Sequence, residues 1–341
     1  MPIEDLITAL PKVELHVHLE GSMPPELLLR LGRKHGLADL PQSPEELARW
    51  YEFRDFTHFI DVYLQAVSAL RDEEDFAALV TEVAAKLAAE NVRYVEFTFT
   101  PTIHTDRGIP AEVVFAGVEH GRREAEREHG IQVRWLPDFP GHYGADVGER
   151  TLDLVQKAEL ESIIGFNVGG IEVDREQFGP VFTRARAAGL HSVPHAGETE
   201  GPDEVWSAIR TLGAERIGHG IGSMTDPELV AYLRDTQLPL DVCPTSNLRT
   251  RIVGELAEHP LPQMLDAGLL VTLNSDDPPM FGTDLLAEYR AAHRLGLDGA
   301  ALAQLARNGV QASFLGPSAK SQLTAEIDVA FAEWSVTDTS G

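Results

Sequence analysis

The chain has 341 residues, 43% of them hydrophobic, with Lys plus Arg 28, Asp plus Glu 54 and a formal net charge of −26. That length suits one large α/β barrel as readily as two ordinary domains, and the apolar fraction supports a large core. So acidic a surface repels nucleic-acid phosphates and anionic lipid, so no nucleic-acid or membrane partner is expected.

Residues 1–10 lack a basic stretch followed by an apolar run, so no signal peptide is expected. Short apolar, β-branched runs then recur at 13–18, 93–100, 132–139, 163–168, 191–195, 216–219, 238–243 and 269–274. Helical patterns lie between most of them, at 74–89, 111–129, 176–188, 203–212 and 226–234. Strands alternating with helices imply parallel βαβ units. Eight in a row predict a closed (β/α)8 TIM barrel, and neither a G-x-G-x-x-G turn nor a Walker A sequence argues for an open nucleotide-binding sheet. Residues 37–65, rich in Pro and aromatics (Trp50, Tyr51, Phe53, Phe56, Phe59, Tyr63), read as an elaborated insertion after strand one. Two readings are open for it: a cover over the C-terminal mouth, or an extra layer outside the barrel. After strand eight, Thr283 is the expected N-cap of a helix over 284–294, and a polar, frayed tail is expected from Ser335. The whole chain, 1–341, reads as one domain. No stretch approaches the roughly 20 apolar residues of a membrane helix. The single cysteine, Cys243, permits no intrachain disulfide and fits a reducing, cytoplasmic setting. In its apolar run it reads as a buried, inert thiol.

The first strand reads Lys12-Val13-Glu14-Leu15-His16-Val17-His18-Leu19-Glu20-Gly21. Side chains alternate along a strand, so His16, His18 and Glu20 share the inward face while Val13, Leu15, Val17 and Leu19 face the outer helices. Strand five ends Val193-Pro194-His195-Ala196-Gly197-Glu198, strand six Gly218-His219-Gly220, and strand eight Asn274-Ser275-Asp276-Asp277-Pro278. Each group lies at the C-terminal end of its strand, where barrel enzymes keep their catalytic residues. A lone His is more often a packed core residue than a ligand. Four His and several acids converging on one rim are different, because buried charges are expensive without a partner. Three imidazoles and one carboxylate suit a divalent first-row ion such as zinc. Carboxylates and an imidazole beyond that set leave an acid and a base for hydrolysis. Strand four ends Asn167-Val168-Gly169-Gly170, where the glycines serve either close backbone approach to a ligand or a tight turn. No lysine ends that strand, which favours one metal over two. There is no G-x-S-x-G elbow, and one cysteine excludes the P-C-x-x-C deaminase signature.

Taken together, His16-x-His18-Leu19-x-Gly21, His195-Ala196-Gly197-Glu198, Gly218-His219-Gly220, Cys243-Pro244-Thr245-Ser246-Asn247 and Ser275-Asp276-Asp277-Pro278 resemble the adenosine and adenine deaminase family, in order and over nearly the whole chain. The resemblance implies one zinc ion on His16, His18, His195 and Asp276. It implies that Glu198 protonates purine N1, that His219 orients the attacking water and takes its proton, that Asp277 hydrogen-bonds N7, and that the Gly170 amide serves N3. The partner it implies is a small purine nucleoside that loses its 6-amino group as ammonia.

Two departures bear on substrate. Adenosine deaminases usually carry Asp, contacting the ribose 5′-hydroxyl, where this chain has Glu20; adenine-specific members resemble it there. Ile171 stands where a charged residue is common. Residues 56–63, 192–198 and 276–284 resemble the aminodeoxyfutalosine deaminases of menaquinone synthesis, whose nucleoside carries a bulky aromatic acid at its 5′ side, and aromatics in 50–63 could line such a pocket. The expected order is aminodeoxyfutalosine, adenosine, then 5′-methylthioadenosine, with adenine as the alternative. A different single-metal amidohydrolase acting on a cyclic amidine would keep the metal and His219 without needing Asp277 or Gly170. A non-catalytic barrel would have lost a ligand or the acid, and this chain retains them all.

Overall fold

The structure, a computed structural model, describes residues 2–338. Helix α1 (Ile3–Ala9) precedes β1 (Lys12–His18). Four helices, α2 (Pro25–Lys34), α3 (Pro44–Trp50), α4 (Phe56–Val67) and α5 (Glu73–Ala89), fill the connection to β2 (Val92–Phe99). The chain continues through α6 (Pro101–Thr105), α7 (Ala111–His129), β3 (Gln132–Pro137), α8 (Ala145–Ala158), β4 (Gly165–Phe166) and α9 (Gly179–Ala187). The fifth stave comes in two pieces, β5 (His191–Ser192) and β6 (His195–Ala196), followed by α10 (Pro202–Ser207), β7 (Ile217–His219), α11 (Pro227–Thr236) and β8 (Leu240–Val242). Last come α12 (Pro244–Arg249), α13 (Leu261–Asp266), β9 (Val271–Leu273), α14 (Pro278–Phe281), α15 (Leu285–Arg294), α16 (Gly299–Ala312) and α17 (Pro317–Asp338).

All strand pairs are parallel: β1-β2-β3, β4-β5 and β6-β7-β8-β9. Backbone hydrogen bonds join these groups into a ring. Ile164 N–H donates to Trp135 O at 3.0 Å, and Val193 and His195 N–H donate to Phe166 O at 3.1 Å and Val168 O at 3.0 Å. Asp276 N–H donates to His16 O at 3.1 Å and His18 N–H to Asp276 O at 2.9 Å, closing the last stave on the first. The eight predicted strands are therefore the eight staves of one barrel. The fifth divides at Pro194, which has no N–H to give.

Below the mouth the barrel is filled by a buried charged cluster. Arg216, at the entry to β7, donates from Nε to Asp241 Oδ2 at 2.6 Å and from Nη2 to Glu96 Oε2. Tyr94 Oη and Phe314 N–H each donate to Glu96 at 2.8 Å, and Thr272 Oγ1 donates to Asp241 at 2.7 Å.

From the insertion, α4 contributes Phe56, Phe59 and Tyr63 to the lining of the central cavity, and the Phe59 ring lies 5.0 Å from that of Phe281 in α14. One expectation is corrected. Asp284, not Thr283, caps α15, accepting from Ala287 N–H at 2.7 Å. The Thr283 hydroxyl is drawn instead to the buried Glu288 carboxylate. Helix α17 runs past Ser335 to Asp338, and the Trp334 indole donates to Pro2 O at 3.2 Å. Residues 339–341 of the expected tail lie outside the described residues. No helix among the described residues is long and apolar enough to cross a membrane.

Candidate active site

The C-terminal ends of β1, β6, β7 and β9 bring His16, His18, His195, His219, Asp276 and Glu198 together. His18 Nε2 lies 3.2 Å from His195 Nε2 and 3.3 Å from Asp276 Oδ1, and His16 Nε2 lies 3.6 Å from the same oxygen. A tetrahedral ion with bonds near 2.05 Å sets its ligand atoms about 3.3 Å apart, so these separations match one. His16 Nε2 is buried and has no hydrogen-bond partner, as a ligand nitrogen would be. His195 Nδ1 lies 3.1 Å from Asn167 Oδ1; that oxygen can only accept, so the proton sits on Nδ1 and the Nε2 lone pair is free for a ligand role. The donor set therefore fits a divalent metal, and zinc suits its three imidazoles and one carboxylate.

Backbone geometry supports this crowding. Asp276 and His219 adopt left-handed φ of 66° and 62°, a conformation that non-glycine residues adopt at a cost. A β-carbon at Gly218 would lie 2.6 Å from His16 Cε1, and one at Gly21 would lie 1.6 Å from Asp277 Oδ1. Both positions favour glycine because the His16 and Asp277 side chains occupy the space a β-carbon would take.

Burial sets the protonation states. It pushes the Glu198 carboxyl well above its usual range, with the Asp276 charge adding to the effect. Asp277 is raised well above its usual range for the same two reasons. His219 is pushed down to about 3, first by burial and then by His16. The pocket thus holds two neutral acids and one neutral imidazole. His219 Nε2 lies 3.6 Å from Glu198 Oε2, so an imidazole and a carboxyl flank the same point.

The remaining expected residues fall as follows. Gly170, with φ 74°, lines the cavity, as does Asp277. Glu20 is set one layer back: Oε1 accepts from Thr100 N–H at 3.0 Å and meets His104 Nε2 at 2.9 Å, and the side chain does not form the cavity wall. Its other oxygen, Oε2, is buried without a hydrogen-bond partner among the described residues. Ile171 is exposed. Cys243 is buried beside His16, His219 and Asp276, and burial keeps it a thiol. The sequence reading missed Asp138, Thr100 and His142, which share the wall. Asp138 follows the end of the third strand, so the rule that picked out the other residues applied to it as well. The cavity encloses about 680 Å³ of non-atom space, including open solvent at its mouth.

A closed parallel barrel with imidazoles and carboxylates gathered at its C-terminal mouth defines a hydrolase of the metal-dependent amidohydrolase class. The chain belongs to the adenosine deaminase family, whose sequence model matches residues 11–330. It is 49% identical to an aminodeoxyfutalosine deaminase of Streptomyces coelicolor over 96% of this chain and 86% of that one. Among solved structures, an adenine deaminase of Arthrobacter aurescens superposes with a TM-score of 0.91 at 34% identity, covering 96% of this chain and 99% of the other. An amidohydrolase with bound Zn from Burkholderia ambifaria gives a TM-score of 0.91 at 26% identity, covering 100% of this chain and 96% of the other.

Proposed function

We propose that this enzyme, a single barrel domain in the cytoplasm, adds water at C6 of an adenosine-like nucleoside and releases ammonia. The observation that carries the reading is the pairing of two carboxyls held neutral by burial with a neutral imidazole around one ligand set. Purine N1 and N7 are acceptors, so only protonated carboxyls can hydrogen-bond to them. Glu198 gives its proton to N1, which makes C6 electrophilic. His219 takes one proton from the attacking water as its oxygen bonds to C6. Asp277 donates to N7, and the Gly170 N–H to N3. The C6–N bond then breaks: the hydroxyl proton returns to the Glu198 carboxylate, and the amine leaves as ammonia with the proton held on His219. His16, His18, His195 and Asp276 would hold one zinc ion, which when bound lowers the pKa of water toward about 7.

Aminodeoxyfutalosine is the preferred substrate, then adenosine and 5′-methylthioadenosine. The 49% identity to an aminodeoxyfutalosine deaminase supports that order, and so does the aromatic wall from α4 beyond the reacting groups. Adenine is the alternative, favoured by Glu20 and by the adenine deaminase superposition. Loss of the 6-amino group shifts purine ultraviolet absorbance. A zinc-loaded enzyme inert on all four compounds would overturn the reading.

A further inference from the structure

One carboxylate on the cavity wall has no part in the deamination chemistry. Asp138 lies just past β3, is 4% exposed and faces the cavity. Its Oδ1 accepts from Thr100 Oγ1 at 2.5 Å. Its Oδ2 takes no protein donor among the described residues and, unlike Asp277 Oδ1, is not sealed from the cavity. A β-carbon at Gly169 would come within 3.0 Å of Oδ2 and 3.4 Å of the His195 ring. The bare backbone there leaves this oxygen open beside the Gly170 amide.

Its surroundings narrow what it can bind. Tyr63, from α4 across the mouth, keeps its phenol proton because burial and the Glu20, Asp277 and Asp138 charges all oppose ionisation. His142, on the same wall, is held neutral by burial, and its Nδ1 has no protein partner. The outer wall is otherwise apolar, with Phe56, Phe59, Ile60 and Ile103. No lysine or arginine lines the cavity among the described residues, whereas Asp138, Glu198, Asp276 and Asp277 all do. A phosphate entering there would meet the Asp138 carboxylate and no lysine or arginine. A hydroxyl would meet an acceptor that the protein leaves free.

We propose that Asp138 accepts hydrogen bonds from the hydroxyls of the substrate's sugar, and that it thereby selects nucleosides over the free base and over 5′-phosphates. This rests on the deaminase reading and adds to it a residue for sugar recognition. In a purine N9 follows C4 next to N3, so with N3 on the Gly170 amide the N9 substituent would lie on the side of Gly169 and Gly170, where Asp138 Oδ2 opens. A buried carboxylate rewards a donor and penalises its loss, so discrimination by one such contact runs from about tenfold to about a hundredfold.

The test uses the zinc-loaded full chain as wild type, Asp138→Asn and Asp138→Ala. kcat/KM is measured for adenosine, 2′-deoxyadenosine, 3′-deoxyadenosine, adenine and AMP. Wild type should lose about tenfold or more on one deoxynucleoside, and Asp138→Ala should erase that difference, mainly through KM. The adenosine-to-adenine ratio should fall at least tenfold in Asp138→Ala, and AMP should gain relative to adenosine in Asp138→Asn. Equal losses on adenosine and adenine, or deoxynucleoside discrimination unchanged by the substitution, would overturn the proposal and leave the deaminase reading standing. If no compound releases ammonia, the deaminase reading fails, and calorimetric binding of inosine against hypoxanthine still decides the role of Asp138: wild type should prefer inosine and Asp138→Ala should not. If Asp138→Ala does not fold, the wild-type deoxynucleoside series and the near-isosteric Asp138→Asn carry the same decision.

Discussion

The barrel buries charge in two places, and it treats them in opposite ways. In the lower barrel, Arg216 sits between Glu96 and Asp241, and each carboxylate also takes neutral donors. Every charge there is answered by the chain itself. At the mouth, His16 Nε2, His219 Nδ1 and Asp277 Oδ1 are buried without a partner among the described residues, and burial forces the Glu198 and Asp277 carboxyls toward neutrality. Buried polar atoms are nearly always satisfied, so orphans concentrated at one end of a barrel mark the end that waits for something else. The lower cluster stabilises the fold, and the mouth trades stability for chemistry.

The largest expected effect is at the mouth. Chelation should reduce deamination to background, and added zinc should restore it; activity that persists in chelated, metal-free protein would remove the distinction. Glu198→Gln should keep the metal and the fold yet lose about 10²–10⁴-fold in kcat, the usual range for a general acid. A loss of only a few-fold would contradict its role. In the lower barrel the signs should reverse. Arg216→Met strands two carboxylates and should cost about 3–5 kcal/mol in urea unfolding, while activity per folded molecule changes little. A cost below about 1 kcal/mol would show that the cluster is not a closed charge unit. Gly21→Ala should fold but displace Asp277, lowering kcat/KM by about tenfold to a hundredfold, with zinc content unchanged by elemental analysis.

The smallest effect is in pH dependence. An imidazole of ordinary pKa would cost activity as pH falls through about 6.5. His219 is instead lowered to about 3, and a bound cation pushes it the same way, so its base form survives acidification. kcat/KM should stay flat between about pH 7 and about pH 5, and a limb near 6.5 assigned to His219 by its Asn variant would break the comparison.

Much of this was legible in the residue order. Apolar runs alternating with helical patterns define eight staves, because parallel strands buried on both faces must be apolar and must be joined by helices. The alternation His16, Val17, His18 puts two imidazoles on one face without further knowledge of the fold, and Asp276 and His195 stand at strand ends that any barrel brings to one rim. What the sequence could not determine depends on distance between segments far apart in the chain. Glu20 shares a strand face with His18, yet Thr100 and His104, about 80 residues away, take up one of its carboxylate oxygens. Asp138 was ignored as an isolated acid until the fold set it against Thr100 and opened its free oxygen on the cavity. Tyr63 needed α4 to fold over the mouth. Periodicity is local and can be read along the chain; which buried group finds a partner, and which is left without one, is decided only when the staves close and exclude water.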